Sequence, residues 1–360
     1  PCLMTMPLVS IIIPCYNVAA FMKKCLDTVC AQTLRDIEII CINDGSTDGT
    51  PDILREYEAA DERIRIIDQS NAGVAAARNA GLDAACGKYI GFADPDDYVS
   101  PVMFQRLYLA AEQYGAELVC MGATIAGDMP LSVRWSMLNG LQCPEWHCSH
   151  YDFASMGTFS ELCWDKLYRA DFLKKTGLRF REGMRQGSDA LFNNLLHPYV
   201  RNIVKIPDCL YIYRPTRPDS LVNVYKAPDK KGSGFYPALE RVDLIAAAYR
   251  ELGCLEKARI TVLNWLNGSI QLFSSNLLHQ TAAEKEEALD AVRALLDKYG
   301  WREFAQSPES PFRLLKHIAC GHDFRVRCAL FGLYRFLHSR AGNKLVELCT
   351  RIINLRGSSR

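Results

Sequence analysis

The chain has 360 residues, 49% hydrophobic and 23% charged, ample apolar material for two to three domains of about 150 residues each. Its 42 basic and 41 acidic side chains leave a net charge of +1, so no global field draws it onto nucleic acid. No apolar run reaches the ~20 residues that cross a bilayer, and the start lacks a charged-then-apolar leader, so neither a spanning helix nor a secretory signal is expected.

In chain order, Val9–Ile13 is a β-branched run stopped by Pro14 and reads as a buried strand. Phe21, Cys25, Leu26, Val29 and Cys30 then recur at three and four residues, one face of an amphipathic helix. Ile37–Ile42 is a second strand ending at Asn43-Asp44-Gly45-Ser46. Thr47 or Asp48 is expected to cap the next helix, whose inner face carries Ile53, Leu54 and Tyr57. A third strand at Ile64–Ile67 precedes an Ala-rich helix from Val74 to Ala85. Tyr89–Ala93 is a fourth strand running into Asp94-Pro95-Asp96-Asp97, followed by a helix at about Pro101–Tyr114 and a strand at Leu118–Met121. Alternation of this kind predicts an α/β fold, a mostly parallel sheet flanked by helices on both faces.

In such sheets ligands bind beyond the carboxyl ends of the strands. The polar residues Tyr16 and Asn17, Asp44, Asn71, and Asp94 with Asp96 follow strands one to four in turn, so all are expected to meet in one crevice. Asp94, Asp96 and Asp97 repel one another, and no Lys or Arg stands beside them in sequence. A divalent cation relieves that repulsion, and oxygen donors suit Mg²⁺ or Mn²⁺. The first turn lacks Gly-x-Gly-x-x-Gly and no P-loop motif occurs, which argues against nicotinamide oxidoreductase and P-loop chemistry.

Fifteen cysteines, an odd and scattered set, read as small buried apolar side chains in a reducing cytoplasm rather than a disulfide framework. Cys143, His147, Cys148 and His150 fall within eight residues, but adjacent His147 and Cys148 do not fit the paired spacing of zinc sites. A loop in which Trp146 and the cysteines pack is the preferred reading, with zinc the lesser alternative.

The series Val9-Ser10-Ile11-Ile12-Ile13-Pro14-Cys15-Tyr16-Asn17 and Asn43-Asp44-Gly45-Ser46-Thr47-Asp48-Gly49-Thr50 resembles family 2 glycosyltransferases of GT-A (Rossmann-like) fold. Asn71-Ala72-Gly73, Ala77-Arg78-Asn79-Ala80-Gly81 and Phe92-Ala93-Asp94-Pro95-Asp96-Asp97-Tyr98 continue the likeness in order over about 120 residues. The resemblance implies a nucleotide-sugar donor, most readily UDP-linked. It places Pro14 and Tyr16 at the base, Asp44 on a uracil ring nitrogen, and Arg78 at the base or diphosphate. Asn17, Ser46, Gly73 and Pro95 are expected to line the same site. Asp94 is implied at the ribose and the metal, and Asp96 as the ligand of an Mn²⁺ or Mg²⁺ ion that bridges the phosphates.

Order after residue 125 returns at Cys163–Arg169, then at a helix from Ala170 to Lys175, at Gly187–Asn193 and at Tyr211–Arg214. In the family a Glu-Asp pair opens a helix, and its Asp is the catalytic base. Asp189 fits that position, but Ser188 stands where Glu is usual, so a catalytically impaired binding module stays open as the alternative. As a plain helix cap Asp189 would carry no catalysis. Trp164 offers a face for a sugar ring and Lys166 a cation, so both are candidates for acceptor binding, although core packing explains Trp164 as well. Tyr213, Arg214 and Ser220 fall where the family closes a loop over the donor.

From Tyr236 helical periodicity dominates, with a capping-box pattern at Thr281-Ala282-Ala283-Glu284 opening a helix to about Tyr299. Arg325, Arg327, Arg335, Arg340, Lys344 and Arg351 are interleaved with large apolar residues. Two readings stay open: a helix on an anionic membrane, or one packed on its own domain or a second copy in a homo-oligomer. The expected organisation is a donor half at 1–125, an acceptor half with the base at 126–225, and a helical region at 226–360. The function implied is inverting transfer of a sugar to a hydroxyl of a saccharide or lipid-linked acceptor, in bacterial surface polysaccharide or glycolipid synthesis. The expected location is the cytoplasm, at the inner face of the plasma membrane.

Overall fold

A computed structural model describes residues 6–126, 146–152, 160–184, 187–214, 235–278, 281–312, 315 and 318. The chain divides into two compact units, one drawn from Pro1–Met129 with Ser136–Ser220, the other from Pro130–Trp135 with Leu221–Arg360.

The first unit is built on a nine-stranded sheet. Strand β1 (Val9–Cys15) is buried at every position and pairs in parallel with β2 (Ile37–Asp44) and β4 (Tyr89–Phe92); β2 in turn pairs in parallel with β3 (Ile64–Gln69). Continuous β-branched runs are what a strand covered on both faces requires. Helix α1 (Ala19–Cys30) buries Met22, Cys25, Leu26 and Val29, the expected three-and-four spacing. Helix α2 (Thr50–Ala60) begins at Thr50, with Gly49 rather than Thr47 or Asp48 at the cap position; Asp48 Oδ1 accepts from the Thr50 amide at 2.9 Å. Helix α3 (Val74–Ala84) lies tight against β1, because a Cβ at Gly81 would stand 2.3 Å from Ile12 Cγ2. That approach explains the small residues around Arg78: Ala77 packs with Ile40 and Ile42.

Beyond β4 the sheet becomes mixed. Strand β5 (Tyr98–Val99), helix α4 (Met103–Tyr114) and strand β6 (Leu118–Ile125) follow, and α4 is closed by Gly115 in the left-handed conformation. Then β7 (Trp146–Cys148), β8 (Lys166–Arg169), helix α5 (Ala170–Thr176), helix α6 (Ser188–Leu196) and β9 (Ile203–Tyr213) complete the unit. Strand β8 inserts antiparallel between β4 and β6, while β9 runs parallel to β6 and antiparallel to β5 and β7. The sheet is therefore parallel from β3 to β4, where strand and helix alternate in sequence, and mixed beyond.

In the second unit α7 (Phe235–Glu251) packs against α8 (Leu255–Leu278), and α9 (Ala282–Lys298) and α10 (Arg302–Gln306) follow. Val242, Ile245, Leu263, Leu266, Val292 and Leu296 are among its buried side chains. The capping box at α9 is complete: Thr281 Oγ1 accepts from the Glu284 amide and Glu284 Oε2 accepts from the Thr281 amide. No helix among the described residues is long and apolar enough to cross a membrane. The basic stretch from Arg325 to Arg351, together with Ser220 and Cys143, lies outside the described residues.

Candidate active site

The loops after β1 and β2 are laced together. Asn17 takes a left-handed backbone, φ +49°, and its Oδ1 accepts from the Thr47 amide at 2.8 Å while its own amide donates to Ser46 Oγ at 3.1 Å. Gly45 has φ +71°, and a Cβ there would stand 2.7 Å from the Asn71 amide nitrogen, so no other residue fits this turn. Pro14 is buried inside β1, whereas the Tyr16 side chain beyond it is 45% exposed, an aromatic ring at the strand's mouth.

Asp44 is only 2% exposed. Its Oδ1 accepts from Gln69 Nε2 at 2.7 Å and the Ala72 amide at 2.9 Å, and its Oδ2 accepts from the Gly73 amide at 2.8 Å. The carboxylate is thus first a fastener for the segment before α3; only Oδ2 keeps an acceptor direction of the kind a uracil ring N–H would need. Gly73, held by it, has φ +91° and open space where a Cβ would stand.

The acidic turn after β4 is not without cations, a correction to the charge argument from sequence. Arg78, 5% exposed on α3, donates from Nη2 to Asp94 Oδ1 at 3.0 Å. Its buried Nε has no hydrogen-bond partner among the described residues. Arg214 donates its amide to Asp97 Oδ1 at 2.7 Å and its Nε to the Asp96 carbonyl at 2.5 Å. Asp97 is a packing group, 1% exposed, whose Oδ2 accepts from Tyr211 Oη at 2.8 Å; the same hydroxyl accepts from the Asp94 amide at 3.1 Å. Arg78 stands 16 residues before Asp94 and Arg214 118 residues after Asp96, so neither is a sequence neighbour of the acids.

Compensation is incomplete. Burial lifts the Asp94 carboxyl above its ordinary range; Arg78 opposes the shift, and the charges of Asp96 and Asp189 add to it. Burial disfavours charge on Arg78, yet Cys163, Asp94 and Asp189 hold its guanidinium above its usual value. Asp189 is therefore in the electrostatic field of the Arg78–Asp94 pair although 95 residues separate it from Asp94. It is the second residue of α6, two positions after the cap residue Gly187 with φ +72°, and its Oδ1 accepts from the Ala190 amide at 2.9 Å. Ser188 beside it is buried. A remaining surplus of negative charge made of hard oxygen donors fits a divalent cation. Among the described residues no three His, Cys, Asp or Glu side chains gather as a metal site.

The two acceptor candidates both lie in the core. Trp164 is 3% exposed and stacks on Tyr211, centroids 4.1 Å apart and planes 13° from parallel, so its face is used by the core. Lys166 is fully buried at the start of β8, and its Nζ reaches Asp165 Oδ1 at 2.6 Å, Ser160 Oγ at 2.8 Å and the Leu162 carbonyl. Trp164 is covered by the Tyr211 ring and Lys166 by its polar partners, so neither side chain faces solvent. At the other candidate cluster, His147 stacks on Tyr114 with centroids 4.5 Å apart and its Nε2 lies 3.0 Å from Asn202 Oδ1.

Sequence reasoning missed Phe180 and Cys163, both fully or almost fully buried near Arg78. Phe180 stands in a loop with no periodicity to mark it, and Cys163 resembles any core thiol.

The Glycosyl transferase family 2 model matches residues 10–177. The chain is 39% identical over 227 residues to the uncharacterized glycosyltransferase EpsJ of Bacillus subtilis, spanning 62% of this chain and 65% of that protein. It is 30% identical over 287 residues to glycosyltransferase GlyA of Streptococcus pneumoniae, spanning 77% of this chain but 40% of that one. The chain thus spans less than two thirds of either relative. Residues 1–349 of S. aureus TarS, solved in complex with UDP-GlcNAc, superpose with a TM-score of 0.67 over 92% of this chain and 90% of that one, at 17% identity. The family match and the shared architecture lead to one assignment: residues 10–177 carry a glycosyl transferase family 2 domain, built on the GT-A fold.

Proposed function

We propose that this protein transfers a sugar from a UDP-linked donor to an acceptor hydroxyl, with inversion at the anomeric carbon and with a divalent cation. The observation that carries the reading is that Asp189 opens helix α6, whose Phe192 stacks on the Phe180 ring beneath Arg78, the ion-pair partner of Asp94. The UDP-GlcNAc bound to TarS supports the choice of donor class. A surface polysaccharide or glycolipid product follows from the family resemblance.

In this reading the ring of Tyr16 covers the base, the backbone at Gly73 leaves room for the donor, and the unpartnered Arg78 Nε donates to it. Asp94 and Asp96 would hold Mn²⁺ or Mg²⁺, which offsets the charge of the departing diphosphate. Asp189 accepts the proton of the acceptor hydroxyl as that oxygen forms its bond to the anomeric carbon. The carbon's bond to the diphosphate oxygen breaks in the same step, and UDP leaves with the electron pair. One displacement inverts the centre. A carboxylate is a much weaker base than an alkoxide, so proton transfer accompanies bond formation.

The test is a panel of nucleotide sugars, scored by thermal shift with and without Mn²⁺ and then by donor hydrolysis and transfer. UDP-sugar binding with turnover supports the reading. Binding without hydrolysis in every case would favour the impaired module that Ser188 keeps open. For the basic C-terminal stretch we propose contact with an anionic membrane face; co-flotation with anionic vesicles, lost on truncation at Ser310, is the expected result, and no difference between the two chains contradicts it.

A further inference from the structure

Two observations concern the same ring. Phe180, 1% exposed, lies under the Arg78 guanidinium, 5.5 Å from ring centroid to Cζ, and stacks flat on Phe192, centroids 4.2 Å apart and planes 12° from parallel. Phe192 is three residues after Asp189 on α6, so both lie on one side of that helix. Phe92, two residues before Asp94, meets the Phe180 ring edge-on at 5.5 Å.

The ring is held in place by Asn79, the neighbour of Arg78 on α3. Asn79 Nδ2 donates to the Phe180 carbonyl at 2.9 Å and to Glu182 Oε1 at 3.1 Å, and Asn79 Oδ1 accepts from the Phe180 amide at 2.9 Å. A side-chain amide that pairs both backbone groups of one loop residue fixes that residue as a strand partner would. Helix α6 is clamped independently on its other contacts: Asn193 Nδ2 donates to the carbonyls of Glu161 and Asp189, and Tyr168 Oη donates to Asn193 Oδ1 at 2.9 Å. With Ser188 as its first residue, α6 carries one carboxylate in its first turn, Asp189. Phe180 is one tie between the donor side and α6, beside Tyr168, which meets both Phe92 and Phe192 edge-on.

We propose that Phe180, pinned by Asn79, is a positioning residue that transmits donor engagement at Arg78 to the helix carrying Asp189. Stacked rings and a guanidinium over a ring face attract one another in a geometry-dependent way that an aliphatic side chain cannot reproduce. Movement of Arg78 toward a bound diphosphate or base therefore reorients Phe180, and with it Phe192 and Asp189. The inference rests on the proposed donor and base roles, but it assigns a residue that neither requires.

The experiment compares wild type, Phe180→Leu, Phe180→Tyr and Asn79→Asp. UDP affinity with Mn²⁺ is measured by calorimetry, amide exchange across residues 188–196 with and without saturating UDP, and transfer kinetics with the best donor. Expected for wild type is slower exchange in 188–196 when UDP binds. Phe180→Leu should keep UDP affinity, lose that protection and lower kcat by about tenfold or more, since a base displaced by a fraction of an ångström loses catalysis. Phe180→Tyr, which keeps the ring, should restore both, and Asn79→Asp should behave as Phe180→Leu. UDP-induced protection unchanged in Phe180→Leu, or a kcat that tracks melting temperature alone across the variants, overturns the proposal. Absence of UDP binding in wild type overturns the donor reading itself, and the coupling with it.

Discussion

The part of the sheet from β3 to β4 and the part from β8 to β9 treat their polar residues in opposite ways. In the first, Tyr16, Asp44 and Asp94 stand at or within two positions of the last residues of β1, β2 and β4. In the second, the residues that look most reactive are absorbed. Trp164 stacks on Tyr211, and Lys166 is ion-paired with Asp165. Position after a parallel strand is itself evidence of exposure to a ligand; position within an antiparallel strand is evidence of nothing until its neighbours are known.

That contrast can be broken by substitution. The largest effect is expected at Asp189, where Asp189→Asn should cut transfer by about 10³–10⁴-fold while UDP affinity survives, because general-base removal costs up to that much. Unchanged turnover would remove Asp189 from the mechanism. Next comes Lys166→Met, which strands a carboxylate that is 1% exposed; a loss of about 3–5 kcal/mol of unfolding free energy is expected, with acceptor KM unchanged in the folded fraction. A raised acceptor KM without loss of stability would return Lys166 to the acceptor site.

The contrast also has a limit inside the first region. Asp44 follows a parallel strand, yet both its oxygens already accept from backbone amides. Asp44→Asn should cost about 1–3 kcal/mol in denaturant unfolding, whether or not UDP is present, because the amide cannot accept on both sides. A variant of full stability that fails only in UDP binding would make Asp44 a ligand contact first. The smallest effect is expected at Thr281→Ala in the helical unit, about 1 kcal/mol in helix stability measured by thermal melting, with catalysis untouched.

The legibility of the molecule follows the same division. Strands β1 to β4 and helices α1 to α4 were readable because their apolar periodicity and their end residues are local properties of the chain. The acid turn was readable as a site but not as a structure. The groups that neutralise and hold it, Arg78, Tyr211 and Arg214, arrive from α3 and from the end of β9, and spacing carries no record of those meetings. Strand β8 has only four residues and draws its stability from two flanking partners, so its short run Lys166–Arg169 showed no strand period. Phe180 lies in no element at all; its position depends on an amide side chain 101 residues away.

The most direct test of the whole account is calorimetric titration of UDP into the wild-type chain and into Asp96→Asn, each with Mn²⁺ and with a chelator. The expected result is binding to wild type that strengthens about tenfold or more with Mn²⁺, as two carboxylates and a diphosphate share one ion, and an Asp96→Asn variant in which that gain is gone. UDP binding of equal strength in all four titrations would contradict it.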